Sequence, residues 1–206
     1  MAKKNPRNTR GKIVSAAWQL FYEQGYEEPT VEEIIDTSQT SKGSFYHYFD
    51  GKDALLSTLS DLFDEKYEGL QETMDPDMPA MDQLLYLNGE LFRMIENKVS
   101  VELLARLLST QLVTNGERQL RNQKRTYYRL LRKIIAQGQE RGELTDRQSV
   151  SEMVRLYALS ERALMYEWCL RGGEYSLGQY AAQVMPGFLS SFRAEFSPEN
   201  RTEETH

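Results

Sequence analysis

Apolar residues recur every three or four positions along almost the whole chain, and strand-like alternation bounded by turns is absent. The fold class that follows is all-α, with about nine helices. The first covers residues 9–24, its apolar stripe formed by Ile13, Ala16, Ala17, Leu20 and Phe21, with Gly25 suited to the left-handed position beyond its end. After Pro29, Thr30 opens a short helix as its N-cap, Glu33 completes a capping box, and Ile34 and Ile35 anchor the helix. Residues 37–40 contain nothing apolar and favour a tight turn. Ser41 then caps a third helix, which carries Phe45 and Phe49 one turn apart.

A fourth helix starts near Asp50 or Gly51 and keeps Leu55, Leu56, Leu59, Leu62, Phe63 and Tyr67 apolar for several turns, as a connector between two domains does. Asp75, Pro76, Asp77 and Pro79 break the chain, and five longer helices follow at residues 80–97, 101–113, 116–141, 148–171 and 177–196. The reading is therefore an arm and a three-helix unit with a tight turn in 1–52, a larger helical domain in 53–196, and a polar, disordered tail in 197–206.

With a formal net charge of -6, a nucleic-acid surface has to be local. Lys3, Lys4, Arg7, Arg10 and Lys12 all precede the first acidic residue, Glu23, which makes the N-terminus a cationic arm. The single cysteine, Cys169, excludes an intrachain disulfide, and no run has the length of a membrane span or the pattern of a signal peptide. The expected compartment is the cytoplasm, with no membrane partner. The only histidines are His47 and His206, and neither a phosphate-cradling glycine loop nor a nucleophile elbow occurs. No catalytic residues, metal or cofactor are expected, and the chain reads as a non-enzyme.

On the third helix, inward packing of Phe45 and Phe49 leaves Lys42, Gly43, Tyr46 and His47 on the opposite face. That face fits a major groove. Gly43 lets the backbone approach closely, while Lys42 and His47 can donate to base edges or phosphates and Tyr46 to a phosphate. Thr30 and Ser41 stand at helix N-termini, where free amides favour phosphate oxygens, and Lys52 adds a charge.

The stretch TVEEIIDTSQTSKGSFYHYFDGKDALL, residues 30–56, resembles the helix-turn-helix of the TetR family in spacing, in its Ser-Lys-Gly-Ser run, in its Phe-Tyr-His-Tyr-Phe block and in the lysine that opens the fourth helix. The specific likeness covers roughly the first quarter of the chain. It implies DNA contacts at Thr30, Thr40, Ser41, Lys42, Gly43, Ser44, Tyr46, His47 and Lys52, with Tyr46 and Lys52 as phosphate clamps. Where the family places glycine and a small apolar residue in the turn, this chain has Gln39 and Thr40, so a slightly remodelled turn is expected.

The resemblance also implies a homodimer in which the last two helices pair with their mates across a twofold axis. Leu156, Leu164, Val184, Phe188 and Phe192 are the expected seam, with burial inside one chain as the alternative. Two polar residues sit on apolar stripes: Asn88 among Leu84, Leu85, Leu91, Phe92 and Ile95, and Glu161 among Tyr157, Leu164, Met165 and Trp168. Such groups need partners, supplied either by the core or by a ligand. The candidate effector pocket is Asn88, Phe92, Tyr127, Tyr157, Glu161 and Trp168. Arg118, Arg121, Arg125, Arg129 and Arg132 form one positive stripe on the expected seventh helix, a solvated face or else a surface for an anionic effector or a partner.

The function so read is a ligand-responsive transcription regulator, a repressor that a small-molecule effector releases from double-stranded operator DNA. The alternative is an all-helical small-molecule-binding or scaffold protein without DNA-binding function, against which the block from Ser41 to Lys52 argues.

Overall fold

The computed structural model describes residues 6–113 and 119–194, so Lys3 and Lys4 of the basic arm, Arg118 and the tail 197–206 lie outside the described residues. Ten α-helices are formed there: α1 Pro6–Gln24, α2 Val31–Ser38, α3 Lys42–Tyr48, α4 Lys52–Leu56, α5 Leu59–Thr73, α6 Ala80–Lys98, α7 Val101–Val113, α8 Thr126–Glu140, α9 Val150–Leu170 and α10 Leu177–Phe188. Short 3-10 turns occupy Gln119–Arg121 and Ser190–Phe192.

Three boundaries differ from the expected ones, each for a local reason. The connector is broken at Ser57 and Thr58, because the hydroxyls of Ser57, Thr58 and Ser60 donate to the carbonyls of Ala54, Leu55 and Ser57 at 2.7, 2.6 and 2.6 Å. Three such back-bonds within four residues compete with the helical ladder. α4 and α5 together make up the connector. The helix expected over 116–141 begins only at Thr126, since Asn122 Oδ1 accepts from Lys124 N (2.9 Å) and turns the chain. The start of α8 is fixed by α5, whose Asp64 accepts from the Tyr127 amide at 3.2 Å and whose Glu68 accepts from the Thr126 hydroxyl at 2.9 Å.

The expected arginine stripe is dispersed as a result. Arg121 precedes the helix. Arg125 is pulled in against Asp64 and the Ser60 carbonyl, both at 2.9 Å, and Arg132 turns back to the Gln123 carbonyl at 2.8 Å. The last helix, which carries Pro186 in its final turn, stops at Phe188 rather than 196, closed by the Leu189 amide donating to Met185 O at 2.9 Å. The chain then folds back, and the Phe192 carbonyl accepts from Thr145 N at 2.9 Å.

α1, α2 and α3 enclose a small head core around Ile13, Ala17, Phe21, Ile34 and Phe45, all almost wholly buried. Gly25, with φ 82°, turns the chain out of α1 in the left-handed conformation expected of it. In the body, α6 packs on α10 and α8, α9 on α8 and α7, and α5 lies along α8 and α6. Leu55, Leu56 and Leu59, on the connector, continue the head core into the body.

Candidate nucleic-acid interface and effector cluster

The turn between α2 and α3 determines how α3 is presented. Thr30 caps α2, its Oγ1 accepting from Glu33 N at 3.1 Å. The second half of the expected capping box is replaced by a tie to α1, in which the Glu33 carboxylate accepts from Gln24 Nε2 at 2.9 Å. α2 ends with Gln39 in the left-handed region, at φ 52° and ψ 41°. Its amide donates to Asp36 O, and the Thr40 amide donates to Ile35 O, each at 3.1 Å. This is the paired closure of a Schellman motif. The expected remodelling of the turn is absent: glutamine takes the position itself, and the Ser38 hydroxyl steadies it through Ile35 O (3.0 Å) and Thr40 Oγ1 (2.8 Å).

Ser41 then caps α3, accepting from Ser44 N at 3.1 Å. Phe45 and Phe49 are buried, their ring centroids 5.9 Å apart, and Lys42, Gly43, Tyr46 and His47 are exposed. Thr40 and Ser44 are half-buried at the edges of this face. The backbone is bare at Gly43, where a Cβ would meet nothing within 4 Å. Lys42 pairs with Glu32 at 3.1 Å, with both side chains about two-thirds exposed (67% and 66%). The Lys42 hydrogen bond and charge draw the Glu32 carboxyl below its usual range. Such an exposed pair is screened and exchanges readily, so Lys42 can trade it for an acceptor on a ligand. Arg10 reaches from α1 to Asp61 of α5 at 3.1 Å, while the side chain of Arg7 lies outside the described residues.

Lys52 is held in a way that its sequence position does not reveal. Its Nζ donates to the carbonyls of Tyr26 and Glu27, both at 2.8 Å, and lies 4.7 Å from the centroid of the Tyr26 ring. Two of its three N–H donors are thereby committed within the protein.

In the body, the structure brings Asn88, Tyr127 and Glu161 together. Glu161 is 2% exposed; Oε1 accepts from Asn88 Nδ2 at 3.0 Å and Oε2 from the Tyr127 hydroxyl at 2.7 Å. Burial raises the Glu161 carboxyl above its usual range, and the hydrogen bonds from its neighbours, together with the Arg162 charge, offset only part of the effect. Tyr157 stands beside them with its hydroxyl donating to Leu84 O at 2.8 Å. Phe92 is fully buried core, and Trp168 donates to Tyr175 O at 2.8 Å. Next to Glu161 lies a cavity of about 30 Å³ walled by Phe63, Tyr67, Leu91, Tyr127 and Met165, with Arg125 and Arg162 also on its lining. The buried Tyr67 hydroxyl on that wall has no hydrogen-bond partner among the described residues. In the sequence Tyr67 is an apolar position of the connector, and the one signal it offers is a phenol in an otherwise hydrocarbon stripe.

Of the expected seam, Leu164 (4% exposed) and Phe192 (0%) are core of their own protomer, so they have no surface to offer a mate. Leu156 and Val184 are half-buried and Phe188 is exposed. The apolar surface actually left open on these helices is Leu159, Tyr166 and Leu170 on α9 and Tyr180 and Phe188 on α10.

Head and body together define a helix-turn-helix DNA-binding regulator with a helical companion domain. A family model described as "Bacterial regulatory proteins, tetR family" matches residues 13–59, and a second, "Tetracyclin repressor-like, C-terminal domain", matches residues 88–191. The chain belongs to the tetR family of bacterial regulatory proteins. An uncharacterised HTH-type transcriptional regulator of Lactococcus lactis is 45% identical over 56 residues, which is 27% of this chain and only 29% of that protein. The HTH-type transcriptional repressor KstR2 of Mycolicibacterium smegmatis is 23% identical across 90% of this chain and 93% of its own. Among solved structures, the regulator FadR of Bacillus subtilis in complex with stearoyl-CoA superposes with a TM-score of 0.69 at 19% identity, covering 89% of this chain and all of that one (100%). Among the described residues, no helix is long and apolar enough to cross a membrane.

Proposed function

We propose that this chain is a homodimeric cytoplasmic repressor that grips operator DNA with α3 and is released from it by a small molecule bound in the body. The observation that carries the reading is the exposed polar face of α3, set on a turn closed by its own backbone hydrogen bonds. Lys42, Gly43 and His47 meet base edges; Thr30, Thr40, Ser41, Ser44, Tyr46 and Lys52 position the helix on phosphates. Two such heads about one DNA turn apart need a dimer. The open apolar residues of α9 and α10 supply its seam, with Leu156 and Val184 at the margin.

The effector site is the Glu161 cluster. A buried carboxylate whose hydrogen-bond donors, Asn88 and Tyr127, are neutral, with Arg125 and Arg162 on the cavity wall, and a phenol without a partner among the described residues invite a polar ligand that donates to Glu161 and accepts from Tyr67. Asn88, Tyr127 and Tyr157 hold the carboxylate's surroundings in place, and the cavity widens to admit the ligand's apolar body. Phe92 and Trp168 belong to the packing behind the site. The stearoyl-CoA complex of the Bacillus subtilis neighbour supports this reading of the body as an effector domain, and the Mycolicibacterium relative, a repressor, supports repression. The test is anisotropy titration of labelled DNA from upstream of its own coding sequence, against a random duplex, at several salt concentrations. Tighter binding to the first, with a steep loss of affinity as salt rises, is expected. Equal and salt-independent binding would favour a helical binding protein without DNA function.

A further inference from the structure

We infer that Tyr26 and Arg106 are positioning residues for DNA binding, holding the Lys52 ammonium in its phosphate-gripping place and tying that grip to helix α7 of the body. The inference rests on the reading of Lys52 as a phosphate contact.

Tyr26 lies in the loop between α1 and α2 and is 2% exposed. Two cations address its ring, Lys52 Nζ and the Arg106 guanidinium carbon, each 4.7 Å from the centroid. Its hydroxyl donates to the carboxylate of Asp53, the residue after Lys52. Burial, reinforced by Asp53, raises the Tyr26 phenol above its ordinary range, which keeps it a neutral donor. The backbone of the same loop supplies the two carbonyls that receive Lys52. Arg106 closes the arrangement from the other domain, pairing with Glu27 of the loop and with Glu102 of its own helix, the latter at 3.1 Å.

A lysine on a free stem loses rotamer freedom when it grips a phosphate. Lys52 has lost much of it beforehand, because the loop fixes its head and leaves one N–H for a phosphate oxygen. Arg106 is the body's hold on that loop. Its helix packs on α9, which carries Glu161, and Leu103, Leu104 and Leu107 bury its inner face. Drawing α7 away from the head would take the guanidinium off Tyr26 and Glu27 and loosen the carbonyls that hold Lys52. A change in the body would thus reach the DNA grip through one side chain.

The experiment is a double-mutant cycle on the full chain, read as affinity and salt slope for a labelled random-sequence 30-base-pair duplex, which suffices because a phosphate contact is indifferent to sequence. The variants are Arg106→Gln, Lys52→Gln and the pair, each checked for unchanged helicity and melting. Arg106→Gln should weaken binding by about threefold or more when Lys52 is present and by less than about twofold when it is not, a coupling typical of residues in one network. Arg106→Lys, which keeps the charge but loses the fork, should fall between and serves as the working variant should the glutamine change disturb folding. Equal losses in both Lys52 backgrounds would overturn the inference, since removing a distant positive charge or loosening the fold acts regardless of Lys52. An unchanged salt slope in Lys52→Gln would instead refute the phosphate contact itself, and the inference with it.

Discussion

Replacing Gln39 by glycine should stabilise the protein. Gln39 occupies the left-handed region at φ 52°, where an L-residue with a Cβ is disfavoured by about 1–2 kcal/mol. Glycine removes that cost but brings back about 0.4–1 kcal/mol through the greater freedom of the unfolded chain. The Gln39 side chain is exposed and adds little to the core, so the net gain is about 0.5–1 kcal/mol. For a chain of this size that corresponds to a rise of about 1–4 °C in melting temperature. Thermal unfolding by circular dichroism gives the answer, with Gln39→Val as the opposite control: a β-branched residue forced to positive φ should lower the melting temperature. DNA affinity of the glycine variant should stay within about twofold, because the closing hydrogen bonds of Thr40 and Gln39 use backbone atoms only. A glycine variant that melts lower than the parent would show that the left-handed turn is not strained as described.

Glu161→Gln tests the buried acid. Its folded pKa is raised, so the stability it contributes is complete below its unfolded pKa and is lost as pH rises through the folded value. The stability of Glu161→Gln relative to the parent, read from urea midpoints, should therefore increase from pH 4 to pH 7; a difference that does not vary with pH would contradict the burial argument. Leu159→Asp with Phe188→Asp places charge on surface that is 55% and 46% exposed in the protomer. Folding should survive while light scattering shows monomer, and an intact dimer would move the seam elsewhere.

Local chemistry was legible and long-range partnership was not. Thr30, Ser41 and the run 37–40 announce helix, turn and helix because a cap and its amide lie within three residues of each other. The break at Ser57 and Thr58 was hidden because hydroxyls that bond backward look like ordinary polar positions in a helix. Periodicity marked the apolar faces of Leu164 and Phe192 but cannot distinguish a wall of the same protomer from a mate. Asn88 and Glu161, 73 positions apart, were each conspicuous as a polar residue on an apolar stripe, and the structure makes them partners. Tyr67 escaped notice because a phenol with no partner is invisible until the atoms around its hydroxyl are known. Lys52 shows the same limit: the sequence supplies a cation, and only the fold supplies the loop carbonyls that aim it.

The central claim, that the exposed face of α3 reads DNA, is tested most directly at Gly43. A side chain there would meet nothing within 4 Å among the described residues, and Gly43 stands in the first turn of α3 with ordinary helical backbone, so Gly43→Leu leaves the fold intact. What it changes is how closely the backbone can approach a base edge. The measurement is the affinity of parent and variant for the duplex that the parent selects from a random-sequence pool, set beside their affinity for random duplex. The account predicts an unchanged melting temperature, a loss of at least about tenfold on the selected duplex, equivalent to about 1.4 kcal/mol, and random-duplex affinity within about threefold of the parent. A Gly43→Leu variant that still prefers the selected duplex as strongly as the parent does would contradict the docking of α3 on DNA.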